Sequence, residues 1–291
     1  MKKRGFFTIC ENNDTHDYVR MAYALALSLR NTQKKYSNLS IGITPGQKIS
    51  KKYSWIFDEI IELPWLDNAE NESWKLENEW KVYHITPYEE TIKLDADMLF
   101  VNDISHWWDL LETRDFWITS KVKTFRNNDV VSNYYRKTFT ENKLPNVYTA
   151  FMYFKKCELS QNIFKMAENI FQSPGDYFSL LNEKNRPVKP TTDVVFSLAI
   201  KFLDVQDQCL LDLNIDCPTF VHMKPKIQNL KSFVPENNWT EVISCFVNEN
   251  KEIKINGFKQ QYPFHYHDKN FLTKEIIQIL ENNNEKLEST I

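Results

Sequence analysis

Residues 91–101 read Thr-Ile-Lys-Leu-Asp-Ala-Asp-Met-Leu-Phe-Val, and few folds accommodate that order. Ile92, Leu94, Leu99, Phe100 and Val101 form an apolar run bounded by polar segments, which predicts a buried strand. Asp95 and Asp97 lie inside it, and ionised carboxylates do not belong in a buried strand unless something neutralises them. Side chains alternate along a strand, so residues i and i+2 share a side. A strand ending near Asp95 therefore projects both acids from its C-terminal end, the edge at which open α/β sheets bind their ligands. Two carboxylates with one small spacer supply hard oxygen ligands for Mg²⁺ or Mn²⁺ and leave positions for substrate phosphates. The alternative is a surface turn with two solvated acids. D-x-D alone does not separate the two, but the strand before it and the apolar run after it favour the metal site.

The flanking chain supports an α/β fold. Strands are predicted at 5–10, 39–43 and 59–63, the last stopped by Pro64, and helices at 18–31 and 50–56, with Asp14 or Thr15 capping the first helix. A helix over 74–85 delivers the chain to the central strand. Further strands are expected at 115–120, 147–154 and 219–222, and helices at 105–111, 159–172 and 192–202, with Thr191 or Thr192 as N-cap of the last. Together these predict a mostly parallel central sheet flanked by helices, built from residues 1–230. Residues 231–291, where the periodicity weakens before a last helix at 272–280, form a C-terminal extension packed on that core. A chain of 291 residues is ample for this.

Charge and cysteine usage narrow the partners. The formal net charge is −3, which leaves no overall electrostatic footprint for nucleic acid. One loop, 122–146, is basic and aromatic. Lys123, Arg126, Arg136, Lys137 and Lys143, with Lys121 just before, alternate with Phe125, Tyr134, Tyr135 and Phe139. That composition suits a single strand of nucleic acid and equally an ordinary solvated loop. No apolar run reaches the roughly 18 residues of a membrane span. The N-terminal apolar patch is too short for a signal peptide. Five cysteines without C-x-x-C spacing indicate neither a disulfide framework nor a zinc site, so reduced thiols in a cytoplasmic protein are expected.

The chain has five glycines and neither G-x-x-x-x-G-K-[ST] nor G-x-G-x-x-G, so a glycine-rich phosphate loop is unavailable. A metal ion on Asp95 and Asp97 is the other way to hold a diphosphate. Four segments carry a family resemblance: the first strand and loop to Tyr18 with the helix Ala-Leu-Ala-Leu-Ser-Leu-Arg-Asn; residues 84–111, from His84 through the D-A-D to Leu111; the strand at 147–154; and Thr-Thr-Asp-Val-Val-Phe at 191–196 with the later His-Met-Lys-Pro at 222–225. Over residues 5–225 the chain resembles glycosyltransferase family 8, the glycogenin-like retaining transferases of GT-A fold, including members encoded by large tailed phages.

The resemblance implies a nucleotide-sugar donor, a UDP-sugar, held through Mn²⁺ or Mg²⁺. It assigns Asp95 to ribose and metal, Asp97 to the metal and His222 as the third metal ligand, with His265 or His267 as replacements. Without the resemblance, His222 reads equally well as a satisfied histidine at a strand end. Lys224 matches the lysine that neutralises the diphosphate. The His-Met-Lys-Pro-Lys spacing is shorter than the family's, so Lys226 is the other candidate. Thr8 and Tyr18 would sit by the base, and Tyr18 also suits a core aromatic. Lys81 approximates a donor-binding lysine, although Glu79 occupies the expected position. Asp193 matches an acid that faces the donor sugar. The glutamine that follows in the family is replaced by Val194, so the resemblance implies front-face attack by the acceptor rather than a side-chain nucleophile, with Asp193 stabilising the sugar. The acceptor would be a saccharide, a protein hydroxyl or a hydroxylated phage DNA base. Two other readings share these acids: a metal-dependent nucleotidyl- or phosphotransferase, and a non-enzymatic sugar-binding descendant.

Overall fold

Strand and helix alternate as the patterning predicts. The computed structural model describes residues 2–65, 67, 69, 76–130, 136–210, 217–230, 234, 238–250 and 252–288, with residues 285–288 as backbone alone. The order is β1 (Lys2–Ile9), α1 (Tyr18–Thr32), β2 (Leu39–Ile43), α2 (Lys51–Ser54), β3 (Ile60–Glu62), α3 (Val82–Ile85), β4 (Tyr88–Leu94), β5 (Met98–Leu99), α4 (Ser105–Leu111), β6 (Phe116–Thr119), α5 (Lys137–Glu141) and β7 (Tyr148–Lys155). It continues with α6 (Glu158–Gln172), α7 (Pro174–Phe178), α8 (Thr192–Phe202), α9 (Gln206–Cys209), β8 (Val221–His222), β9 (Cys245–Val247), β10 (Ile253–Ile255), β11 (Phe258–Lys259), β12 (Phe264–His265) and α10 (Lys274–Glu288).

The main sheet has strand order β3-β2-β1-β4-β7-β6. Strands β3, β2, β1 and β4 run parallel, and β7 is antiparallel to both of its neighbours. The sheet is therefore mostly parallel, and its strands read as near-continuous apolar runs because helices cover both faces. Successive residues split between the faces. Phe6, Phe151 and Tyr153 join the core beside α1, α4 and α10, whereas Phe7, Met152 and Phe154 join the core beside α6 and α8. On α6, Ser160, Ile163, Phe164, Ala167, Ile170 and Phe171 are buried, the i, i+3, i+4, i+7 stripe of a helix lying on a sheet. The cap of α1 is Asp17, whose side chain accepts from Arg20 N at 3.0 Å, rather than Asp14 or Thr15.

Two further small sheets are present among the described residues. One, β11-β10-β9, lies within the C-terminal part. The other, β5-β12-β8, joins that part to the core. Strand β12 pairs antiparallel with β5 (Met98 opposite His265) and parallel with β8 (His265 beside His222). Helix α10 packs on α1, where Tyr23 Oη donates to Glu281 at 2.9 Å and Asn31 Nδ2 donates to Leu280 O at 2.9 Å. No helix among the described residues is long and apolar enough to cross a membrane.

One glycine in β1 is required by close approach. A Cβ on Gly5 would run into the Tyr88 ring. That ring is fixed, since its hydroxyl pairs with Ser40 at 2.7 Å and with Asp58 at 2.9 Å. Gly5→Ala is expected to destabilise the fold by about 1–3 kcal/mol, the cost of overpacking a filled site. A urea-denaturation midpoint no lower than that of the wild type would contradict this.

Candidate active site

Strand β1 is flanked by β2 on one side and β4 on the other, so the chain reverses its direction of winding between β1 and β4. Ligands of open α/β sheets bind outside the carboxyl ends of the strands at such a switch point. A cavity of about 570 Å³ opens there. The end of β1 lines it with Thr8, Ile9 and Glu11, the end of β4 with Asp95, Ala96 and Asp97, and the start of antiparallel β7 with Tyr148, Thr149 and Ala150. Asp193, His222, Lys224 and Lys226 also line it, as does Tyr18 at the start of α1. Ten of the eleven residues singled out from the sequence, His265 and His267 included, thus share one cavity, and Lys81 does not.

Strand β4 ends at Leu94, and the pairing reaches one residue further, with Asp95 N donating to Ala150 O at 3.0 Å. Asp95 to Asp97 then turn the chain into β5. Asp97 is 5% exposed. Its Oδ2 lies 3.1 Å from His265 Nε2 and also accepts from Lys269 Nζ. Burial alone would raise this carboxyl, but His265 and Lys269 outweigh it and hold Asp97 well below the usual carboxylate range. Asp95 Oδ2 lies 3.9 Å from the same imidazole nitrogen. Asp95, Asp97 and His265 each offer a ligand atom, all within 4.8 Å of one another.

His222, expected as the third ligand, is outside that group. It sits beside His265 across the β12–β8 pairing, with the rings stacked at 4.6 Å and 13°. The structure therefore groups His265, the replacement considered from the sequence, with the two acids. His267 stands about 6 Å from both rings. Burial, with neighbouring cations adding to it, depresses His222 well below the usual histidine range and His267 to about 3. Neutral imidazoles are ligands for borderline divalent metals. The Nδ1 atoms of His222, His265 and His267 are buried and have no hydrogen-bond partner among the described residues. Orphaned buried nitrogens call for a water or an ion, and the mixed oxygen and imidazole set fits a divalent metal ion.

A buried lysine sits behind Asp95. Lys93, 1% exposed, reaches Asp95 Oδ1 at 2.8 Å and Glu79 Oε2 at 2.7 Å. Burial would lower its pKa, but those two carboxylates outweigh burial and keep it protonated. Glu79 lines the cavity where the family pattern has a lysine. The cause is local geometry. Residues Leu76–Lys81 form a 3-10 helix rather than the expected α-helix. At three residues per turn, Leu76 and Glu79 eclipse on one side, and both line the cavity. Lys81 falls on another side, fully buried, with its ammonium 5.7 Å from the Trp80 ring centre.

Asp193 opens α8. Its Oδ1 accepts from Thr149 N and Thr149 Oγ1, both at 2.9 Å, and its Oδ2 accepts from Arg136 Nη1 at 2.7 Å. Burial would raise this acid, but Arg136 outweighs burial and lowers it. Arg136 is itself buried. Its guanidinium packs on Phe139 at 3.7 Å and on Tyr148 at 4.2 Å, and Nε donates to Asn146 at 2.7 Å. Lys224 lines the cavity half-buried, and burial lowers its pKa. Lys226 is exposed at the rim.

Among its described residues, loop 122–146 does not present its phenylalanines. Phe125 and Phe139 are buried, and Arg136 points inward to Asp193. Lys123 pairs with Asp129 at 2.7 Å. Tyr134 and Tyr135 lie outside the described residues. Sequence reasoning missed Glu11, Lys93 and Lys269, noted Glu79 and Thr149 without giving them a role, and read Arg136 only as part of a basic loop. Lys93 was the legible one, since a lysine inside an apolar strand two residues before an aspartate calls for a buried partner.

No family model matches the chain, and no curated protein matches it in sequence. Among solved structures it is similar to mouse xyloside xylosyltransferase 1 in its apo form, with 11% identity over 72% of this chain and 85% of that one and a TM-score of 0.45. It is also similar to the galactosyltransferase LgtC in complex with donor and acceptor sugar analogues, with 13% identity, 72% and 73% coverage and a TM-score of 0.47. For the glycosyltransferase GlyE of Streptococcus pneumoniae the values are 13%, 73% and 46%, and 0.40, so the matched part is less than half of GlyE. Likeness of this degree carries no donor, acceptor or reaction from those proteins to this chain.

Proposed function

We propose that this protein is a retaining, metal-dependent glycosyltransferase of GT-A type that moves a sugar from a UDP-sugar to an acceptor hydroxyl. Residues 1–230 would carry the donor site, and 231–291 an extension that completes it through His265, His267 and Lys269. The observation that carries the reading is the grouping of Asp95, Asp97 and His265 in the same cavity as Asp193 and Lys224, at the switch point of the sheet.

In this reading Asp95, Asp97 and His265 hold Mn²⁺ or Mg²⁺, with Lys93 fixing the orientation of Asp95. The bound ion supplies Lewis-acid charge to the diphosphate leaving group. Lys224, Lys226 and Lys269 line the cavity and add positive charge where negative charge develops. Thr8 and Tyr18 flank the base. Asp193 accepts hydrogen bonds from sugar hydroxyls and stabilises an oxocarbenium-like anomeric centre. Arg136 and Thr149 already occupy both of its oxygens, which favours an electrostatic role over nucleophilic attack. The acceptor hydroxyl attacks from the leaving-group face, and its proton goes to the departing phosphate oxygen.

Incubation with a panel of nucleotide-sugars and Mn²⁺, scored by release of nucleoside diphosphate and of sugar, tests the reading. UDP release from a UDP-sugar is expected. Turnover of the nucleotide with no sugar released would instead indicate nucleotidyl or phosphoryl transfer.

The ligand set has its own test. His265→Ala is expected to raise the Mn²⁺ concentration for half-maximal activity by about 10–100-fold, the scale of a lost metal-site contact. His222→Ala, which removes the ring stacked on His265, is expected to raise it less. The reverse order would assign the third ligand to His222.

A further inference from the structure

We infer that Lys269 is a tethered cation that stands in for the divalent ion on Asp97, so that ion binding and release of the Lys269 ammonium are one event. The inference rests on the metal-site reading above and adds to it a role for the contact between Lys269 and Asp97.

Lys269 Nζ bonds to Asp97 Oδ2, the same oxygen that His265 Nε2 approaches at 3.1 Å. Its side chain is 15% exposed and lines the cavity, with the ammonium 5.4 Å from the Tyr18 ring centre. A buried carboxylate needs a compensating charge. Lys269 supplies it when no ion is bound.

An ion within coordination distance of Asp97 would lie a few ångströms from that ammonium. Like charges so close in a partly buried site repel each other, so the ammonium gives way to the ion. The lysine is built to leave. Its backbone belongs to a 3-10 turn, Lys269–Phe271, capped by Asp268. Asp268 is 2% exposed, accepts from Asn270 N at 3.0 Å, and is itself held by Thr240 N at 3.0 Å. The main chain therefore stays in place while the four-carbon stem rotates. Once displaced, the ammonium remains in the cavity, among the lysines that face the leaving diphosphate.

The test is Mn²⁺ binding to the donor-free protein, followed by the paramagnetic resonance of free Mn²⁺. Lys269→Met and Lys269→Gln are each expected to bind Mn²⁺ about tenfold tighter than the wild type, equivalent to about 1.4 kcal/mol. Both should melt lower than the wild type without the ion and gain more on adding it. The two variants differ in polarity, so loss of folding in one leaves the other to decide. Binding that is unchanged or weaker in a folded variant overturns the inference. Failure of the metal reading looks different: the wild type then binds no Mn²⁺, and Asp97→Asn changes nothing.

Discussion

Asp97→Asn is expected to abolish Mn²⁺ binding and to lower donor turnover by at least about 10³-fold. Lewis-acid stabilisation of a leaving phosphate is worth several kcal/mol, and each 1.4 kcal/mol is tenfold in rate. The amide keeps the volume of a buried side chain and can still bond His265, so no cavity opens in the core. It does remove the counter-charge of Lys269. The double variant Asp97→Asn, Lys269→Met restores neutrality at that point and should recover thermal stability without recovering activity. That separates loss of the ion from loss of the fold. Turnover in the single variant within tenfold of wild type, at saturating Mn²⁺, would remove Asp97 from the metal site.

The acids were legible because they break a rule. A strand flanked by apolar residues on both sides has no local reason to carry Asp95 and Asp97, and such conflicts between pattern and burial mark sites. Strands and helices with strong periodicity were legible too. Strand β2 spans 39–43, α4 spans 105–111 and α8 spans 192–202, as their patterns predict. What the sequence hid depends on contacts distant along the chain. His265 reaches Asp97 only because β12, far along the chain, lies between β5 and β8. Those strands are two residues long, too short to leave a period-2 signal. Lys81 was misplaced by a smaller effect, the difference between a 3-10 and an α-helical turn at 76–81. Arg136 read as part of a solvated basic loop, and nothing in its neighbours announces that it turns inward to Asp193. The charge balance of the cavity therefore comes from one residue that local pattern could flag, Lys93 behind Asp95, and from two that it could not, Lys269 on Asp97 and Arg136 on Asp193.

The Arg136 contact sharpens the test of mechanism. Asp193→Asn keeps the shape of the side chain, but an amide has one acceptor oxygen where the carboxylate has two. If that oxygen faces Thr149 N, the NH₂ group meets Arg136, and donor faces donor. The reverse orientation sets the NH₂ against the Thr149 N–H. Either arrangement leaves a buried donor unsatisfied, at about 1–3 kcal/mol, and strips Arg136 of its counter-ion. A lower melting temperature is therefore expected and has to be measured beside the rate. If Asp193 only holds the sugar and stabilises positive charge, turnover should fall by the 10²–10³-fold typical of losing one electrostatic stabiliser, about 3–4 kcal/mol. The product linkage should keep the anomeric configuration of the donor. An obligate nucleophile behaves differently: transfer essentially vanishes, and the wild type on donor alone accumulates a glycosyl adduct at Asp193, visible by intact mass. The proposal expects the first outcome, since both oxygens of the carboxylate are already hydrogen-bonded, to Arg136 and to Thr149. NMR of the anomeric linkage gives the remaining answer, because an inverted product would overturn the retaining reaction itself rather than the role of one side chain.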